Sequence, residues 1–358
     1  MSEVIITVTT VGVDFFPLDQ QLELWEKNWS EGLVKEAVWL SGVVDSFEEA
    51  AQVLARIGHV SMSTSTVWRR VERWGEKFRQ LDQARQEQAW SLPQRGQVTA
   101  GQAKQDGRMG LAMDGAMVHI LGEGWKELKV GCVYQIEPRA VFDKESGEWL
   151  EMGHAVHNSY VAHLGGPELF GRLLWAEAQG RGWERVYDTQ VVGDGARWIW
   201  NLTQEHFYDS YQTVDWYHAV EHLHTAAGLY HPDNDRAAQR WYKRAEKTLF
   251  QGHAEQIARM LEQKAVGHSQ RAKNLRTEAQ FFANHKRRMQ YLEFREDGYL
   301  IGSGPVESGA KQFKARFTGP GMRWSREGIE RLIPVRAAIM SNQFDNLWPT
   351  LYNNSPPN

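Results

Sequence analysis

Cysteine is nearly missing from this sequence: Cys132 is the only one among 358 residues. Its scarcity excludes an internal disulfide framework and a cysteine-built zinc ribbon, and makes the reducing cytosol the expected compartment. No apolar run approaches the roughly 18 residues that a membrane span needs. The opening MSEVIITVTTVGVDFF has neither the basic region nor the small-residue cleavage site of a secretory signal. Repeats and low-complexity tracts are absent too, apart from the polar NNSPPN, which is expected to fray. At 42% hydrophobic and 24% charged residues, the chain is neither disordered nor fibrous. Its length allows two or three structural units. Sixteen scattered tryptophans read as core and surface anchors.

Net charge is low, −4, but it is unevenly spread. Residues 1–50 carry two basic and ten acidic side chains, and residues 51–100 carry eight and four. Residues 101–235 hold ten basic against twenty acidic side chains, whereas 236–290 hold thirteen against four. An acidic middle beside a basic segment suits a protein that gathers carboxylates at one site and holds a polyanion nearby; solvated faces would give the same counts.

The pattern divides the chain. In residues 1–40, ITVTTVGVDFF reads as a strand and residues 24–40 as a helix. Residues 46–75 read as two helices with a Gly58 turn between them. Ser46 caps the first and Ser63 or Ser65 the second, whose Val67, Val71 and Trp74 form an apolar stripe opposite Arg69, Arg70 and Arg73. This is the plan of a helix-turn-helix that docks in a major groove, and also that of an ordinary helical hairpin with a solvated basic face. Residues 108–216 spell three strands, a helix opened by Pro167, a strand ending at Asp194, a helix, and a strand reaching Asp215: a mixed sheet with helices packed on it. A basic, helical stretch over 219–300 interrupts that pattern before the glycine turn of GYLIGSGPVESGAKQFKARF and a terminal helical region. The boundaries are thus an N-terminal helical region over 1–100, the candidate for DNA binding, and an α/β domain in two parts, 101–218 and 301–345. A helical insertion over 219–300 separates those parts, and a tail occupies 346–358.

Three carboxylates stand out by position. Asp114 interrupts the apolar run GLAMDGAMV, where a carboxylate is costly to bury without a partner charge or a metal. Asp194 ends the strand VVGD, at the kind of place where α/β ligand sites lie. Glu307 opens a basic helix after the Gly302–Pro305 turn. Such a set suits hard Mg²⁺ or Mn²⁺ ions, and two of them can support phosphodiester displacement.

At these residues the sequence resembles bacterial insertion-sequence transposases with an RNase H-like aspartate–aspartate–glutamate domain, of the Kra-type, Mutator-like branch. MDGAMVHI resembles the first-strand motif, VVGDGARWIW the second-aspartate motif and GSGPVESGAKQFKARFTGPGMRW the glutamate motif. VDWYHAVEHL resembles the aspartate-x-x-histidine element, here Asp215 and His218. The resemblance spans about residues 108–340. It implies an α/β fold with an RNase H-like mixed five-stranded sheet, helices on both faces and an all-helical insertion, to which the residue pattern of 46–75 adds an N-terminal helix-turn-helix region. It also implies catalysis and Mg²⁺ or Mn²⁺ binding, with two ions, by Asp114, Asp194 and Glu307, with Asp215 and His218 as accessory residues.

The expected partners are double-stranded DNA (element ends and target) and further copies of the chain, as a homodimer or higher assembly in the DNA complex. The expected location is the cytoplasm, at the nucleoid. Phosphate contacts are expected from Arg69, Arg70, Arg73, Lys286, Arg287, Arg288, Lys311, Lys314, Arg316, Arg323 and Arg326, although the residues around Glu307 could be plain helix surface. Trp324 is expected in the core rather than stacked on a base. His218, His222 and His224 offer a rival zinc site, but HAVEH lacks the glutamate placement of the zinc-protease motif. A catalytically silent DNA-binding descendant and a structure-specific nuclease remain alternatives to the transposase.

Overall fold

The computed structural model describes residues 6–7, 14–15, 29–89, 105–143 and 147–353. Most of the strand expected in the first 16 residues lies outside them; what is described there is a two-residue antiparallel pairing of Ile6–Thr7 with Asp14–Phe15. The chain divides into two compact units. One comprises residues 1–83, 119–124 and 313–358, and the other comprises 84–118 and 125–312.

The first unit is helical, with α1 (Glu31–Val43), α2 (Phe47–Ile57), the start of α3 (Thr64–Gln88), α12 (Arg326–Met340) and α13 (Phe344–Asn353). Local signals start these helices where the sequence puts them. Ser46 accepts the Glu49 amide at 3.0 Å, with Glu48 and Glu49 in the positive first turn. Ser63 accepts the Thr66 amide at 3.2 Å. Ala37, Ala50, Leu54, Met62 and Val67 form a small core between α1, α2 and the first turns of α3.

α3 does not end near residue 75 as expected. Its stripe continues through Trp74 and Phe78, which stack on Trp348 (4.8 Å), Tyr352 (5.3 Å) and Phe344 (5.5 Å) of α13. α13 therefore reaches Asn353, and residues 346–353, expected in the tail, form part of this core.

The second unit holds the sheet. Its strands are β1 (Gln105–Ile120), β2 (Gly124–Asp143), β3 (Glu148–Leu164), β4 (Val186–Gly193) and β5 (Tyr211–Val214), in the order β3-β2-β1-β4-β5. β2 and β3 pair antiparallel, whereas β1 with β4 and β4 with β5 pair parallel, so the sheet is mixed. α4 (Pro167–Gly180) connects β3 to β4, and α5 (Arg197–His206) connects β4 to β5. Helices α6 (Trp216–Tyr230), α7 (Asp235–Phe250), α8 (Ala254–Lys264), α9 (Gln270–His285) and α10 (Tyr291–Glu296) follow before α11 (Gly304–Phe317), which opens in this unit.

Alternation along the strands gives the sheet two chemically different faces. Leu111, Met113, Val133 and Val161 join Phe170, Leu173 and Leu174 of α4 in the main core. Gly131 is as small as it is because a Cβ there would lie 2.7 Å from Leu174 Cδ1. Gly110, Ala112 and Asp114 project the other way, toward Tyr134 and Tyr160. A Cβ on Gly110 would strike the Tyr134 ring, and one on Gly309 of α11 would strike the Tyr160 ring. Tyr160 also donates to the Pro305 carbonyl at 3.2 Å. α11 thus lies on the Asp114 side of the sheet. Among the described residues, no helix is long and apolar enough to cross a membrane.

Candidate active site

Parallel pairing sets three aspartates in a row. Met113 on β1 is the partner of Gly193 on β4, and Gly193 is the partner of Val214 on β5. The residue that follows each is Asp114, within β1, and Asp194 and Asp215, just past the ends of β4 and β5. Neighbouring strands run about 4.8 Å apart, so these three side chains leave adjacent strands at one level. The C-terminal ends of parallel strands are where α/β folds build ligand sites.

Each aspartate is held differently. Asp114 is half-buried and accepts the Gly115 amide at 2.7 Å. Asp194 accepts the Ala196 amide at 2.7 Å, which folds the chain into a tight turn. Gly195 in that turn has φ +103, and a Cβ there would lie 2.8 Å from the Phe281 ring of α9. Asp215 is buried at 1% exposure and caps α6 through the His218 amide at 2.9 Å. It also receives His218 Nδ1 at 3.1 Å and the Ser303 amide.

Glu307 arrives on the first turn of α11, and the segment before it is firmly tied. Gln190, fully buried in β4, accepts the Leu300 amide at 3.1 Å and donates to the Leu300 carbonyl at 2.6 Å. The Trp216 amide donates to Ile301 at 2.8 Å, and Ser303 is bound to Asp215. Three successive attachments therefore fix where α11 begins. Neither Gln190 nor Ser303 was legible as a positioning residue; the one sequence signal is a glutamine inside an otherwise apolar strand run, TQVVGD.

Electrostatics link the four elements. Burial raises the proton affinity of Asp114, the Gly115 bond lowers it, the negative charges of Asp194 and Glu307 raise it, and His218 lowers it; the net shift is upward. Burial acts to raise the Asp215 pKa, but hydrogen bonds from His218 and Ser303 outweigh it and the carboxyl lies below its ordinary range. In return, the Asp215 bond lifts the His218 pKa to about 9, with burial opposing and Asp194 adding to the rise. At neutral pH the site therefore holds an imidazolium among carboxylates.

Among the described residues, no three His, Cys, Asp or Glu side chains are grouped as ligands for one metal ion. Asp114 and Asp194 each bind a nearby amide, and Glu307 Oε1 is paired with Lys311 at 2.6 Å. By donor chemistry the set still fits a hard divalent ion, because Asp114, Asp194 and Glu307 are all-oxygen donors whose mutual repulsion a cation relieves.

The remaining predicted residues separate into different settings. His218, His222 and His224 do not act together: His222 Nδ1 is 2.7 Å from Glu278 and its ring stacks on Phe281, while His224 meets Tyr242 edge-on. Lys286 pairs with Glu255 at 3.3 Å. Arg288 lies over the Trp200 ring at 4.3 Å and donates to Gln212 at 2.7 Å, so of the triplet expected to face DNA Lys286 and Arg288 are half-buried and Arg287 is exposed.

In the first unit, Arg69, Lys314 and Arg323 are exposed, while Arg70 and Arg73 are half-buried. Arg316 corrects the expectation of a phosphate contact: it is 2% exposed, its Nε donates to the Ser41 carbonyl at 2.8 Å, and it stacks between Phe47 and Trp324. The opening of Arg326 toward DNA is likewise taken up, by Glu123 and by Glu330 at 3.1 Å. Trp324 is buried and donates to Phe317 at 3.0 Å, in the core as expected.

A cavity of about 460 Å³ lined by Asp106, Arg108, Glu151, Tyr187, Asp188 and Asp297 opens at the other ends of β1 and β4. None of the proposed catalytic residues reaches it. In comparison with known proteins, the chain matches no family model and shows no significant match to a curated protein.

Proposed function

We propose that the chain is a DNA transposase: a metal-dependent nuclease and strand transferase on an RNase H-like domain, with helices α6–α10 as the insertion before the final catalytic helix. The observation that carries this reading is the placement of Asp114 and Asp194 side by side on parallel strands, with Glu307 on the same side of the sheet and both acting electrostatically on Asp114. The strand order β3-β2-β1-β4-β5 is compatible with that fold.

In this reading Asp114, Asp194 and Glu307 hold two Mg²⁺ or Mn²⁺ ions. When bound, such a pair supplies charge neutralisation for the attacking and leaving oxygens of phosphodiester displacement. Asp215 fixes His218 as a cation and holds the entry of α11, so both act as positioning residues. His218 also offers positive charge where a scissile phosphate would crowd three carboxylates. Lys311, paired with Glu307 at 2.6 Å, would be free to contact a phosphate oxygen if that carboxylate held a metal. Water breaks the P–O3′ bond at the element end and frees a 3′-OH, which then attacks a target phosphate in line and displaces the target strand's own 3′-oxygen.

In the first unit, α2 and α3 take the part of a helix-turn-helix, with Arg69 exposed near the start of α3. Cleavage and joining assays on the DNA that flanks the gene test this function. Mg²⁺-dependent nicking followed by joining supports a transposase. Nicking without joining points to a nuclease, and binding without either to a silent descendant.

A further inference from the structure

The sequence places its basic triplet at Lys286–Arg288, but the structure gathers unpaired cations elsewhere, at the far end of α6. Three helices bring them there. Lys264, at the end of α8, lies over the Tyr230 ring at 5.2 Å. Tyr230 stacks on Trp241 of α7 at 5.0 Å, which sets Arg240 and Arg244, one residue before and three residues after Trp241, beside the same spot. Arg271, in the first turn of α9, donates to the last carbonyls of α6, Leu229 at 2.7 Å and Tyr230 at 3.1 Å. All four cations are exposed, and none forms an ion pair among the described residues. Asp233, in the turn just beyond, and Asp235, at the start of α7, form no ion pair with any of them among the described residues.

His231 caps α6 in the middle of this group. Its pKa is lowered by desolvation first and then by Lys264, Arg240, Arg244 and Arg271. Like charges that converge without acidic partners repel one another, and an anion laid across them relieves that repulsion.

We propose that Arg240, Arg244, Lys264 and Arg271 around His231 form a phosphate-backbone seat for duplex DNA, separate from the carboxylate site at the opposite end of α6. The inference rests on the transposase reading for the identity of the polyanion. α6 has 15 residues and is therefore roughly 22 Å long, so the seat lies about six base pairs of duplex from Asp215. A duplex entering the carboxylate site could be gripped about half a helical turn away. Such a contact gives affinity and register without reading bases. Lys286 and Arg288, tied to Glu255, Trp200 and Gln212, instead hold the end of α9 in place.

The experiment measures binding of the full chain to a duplex of about 40 base pairs, by fluorescence anisotropy in EDTA over a salt series. The triple variant Arg240→Glu/Arg244→Glu/Lys264→Glu should bind at least about tenfold more weakly near 0.1 M salt, with a log–log salt slope flatter by about two to three. The milder Arg240→Gln/Arg244→Gln/Lys264→Gln variant should move the slope the same way, which guards against a folding defect in the first. Arg185→Glu, an exposed reversal elsewhere in the same unit, should leave the slope nearly unchanged.

An unchanged slope in the Gln variant overturns the seat, as does a wild-type chain that shows no salt-dependent duplex binding or prefers RNA. Parallel Mg²⁺ cleavage assays separate the two readings. Wild-type cleavage with an unchanged Gln-variant slope removes the seat alone. Loss of slope in the variant without cleavage by any chain removes the transposase reading and leaves the seat.

Discussion

At the first turn of α6, His218 sits against a buried carboxylate and stays protonated up to about pH 9. At the cap of the other end of the same helix, His231 sits among four cations and gives up its proton more readily than a free imidazole. One helix thus joins a region built to concentrate negative charge and one built to concentrate positive charge. The chain's low net charge of −4 shows neither of them. The difference also explains why the helix is held so firmly at each end. Asp215 binds the first turn to β4 and to the entry of α11, and Arg271 binds the last turn to α9.

The largest effect is expected where the carboxylates meet. Glu307→Gln keeps the size and hydrogen bonding of the side chain but removes the charge a divalent ion requires. Mg²⁺-dependent nicking should fall by orders of magnitude, while duplex affinity in EDTA stays equal or rises slightly because a charge repelling phosphates is gone. Nicking at the wild-type rate would remove Glu307 from the metal site.

A backbone change comes next. Gly195→Ala puts a Cβ 2.8 Å from the Phe281 ring at φ +103, so it strains the turn that presents Asp194. A stability loss of about 1–3 kcal/mol is expected in chemical denaturation. The defect should appear in cleavage as well, since the turn carries Asp194. A stable, fully active variant would show that this turn does not constrain the site.

Asp215→Asn tests the acidic end by pH. It keeps acceptors for the Ser303 and His218 amides but leaves His218 without its counter-charge. His218 should then titrate near its ordinary 6.5 instead of about 9, as read by NMR. The sign follows from both shifts. His218 has a raised folded pKa, so its contribution is complete below about 6.5 and is lost as pH rises through about 9. Asp215 has a lowered one, so its contribution is present above its ordinary 3.8 and is lost as pH falls through the lower folded value. The stability gap between wild type and variant should therefore be widest from about pH 4 to 6.5 and shrink above pH 9.

Asp114 and Asp194 were legible because a carboxylate inside or just after an apolar strand has no cheap structural explanation. The strand and helix succession from β1 to β5 was legible from alternation and turn residues. What sequence spacing could not carry were contacts between distant segments. Gln190 holds Leu300 across 110 residues, and Arg316 reaches the Ser41 carbonyl across 275, so a basic residue on an apparently exposed helix is in fact interior. The cation cluster around His231 was hidden for the same reason. Its members come from three helices, while the adjacent triplet Lys286–Arg288 attracted attention by proximity alone. Only burial and partner geometry tell the two apart.

The smallest effect is expected at the basic end of α6. Arg271→Met keeps an apolar stem over the helix but removes the guanidinium that donates to Leu229 and Tyr230. These bonds are exposed and water can replace them, so the cost should be about 0.5–1 kcal/mol, a shift of a few degrees at most in thermal midpoint. The loss of one of the cations around His231 should raise its pKa toward the ordinary value, while His218, at the opposite end of the helix, keeps its own. An NMR titration of both histidines in one sample reads the two ends together. Movement of His218 along with His231 would mean that α6 as a whole had shifted, and that its two ends are not electrostatically separate. Movement of His231 alone would show that the charge of each end is set by the side chains around it.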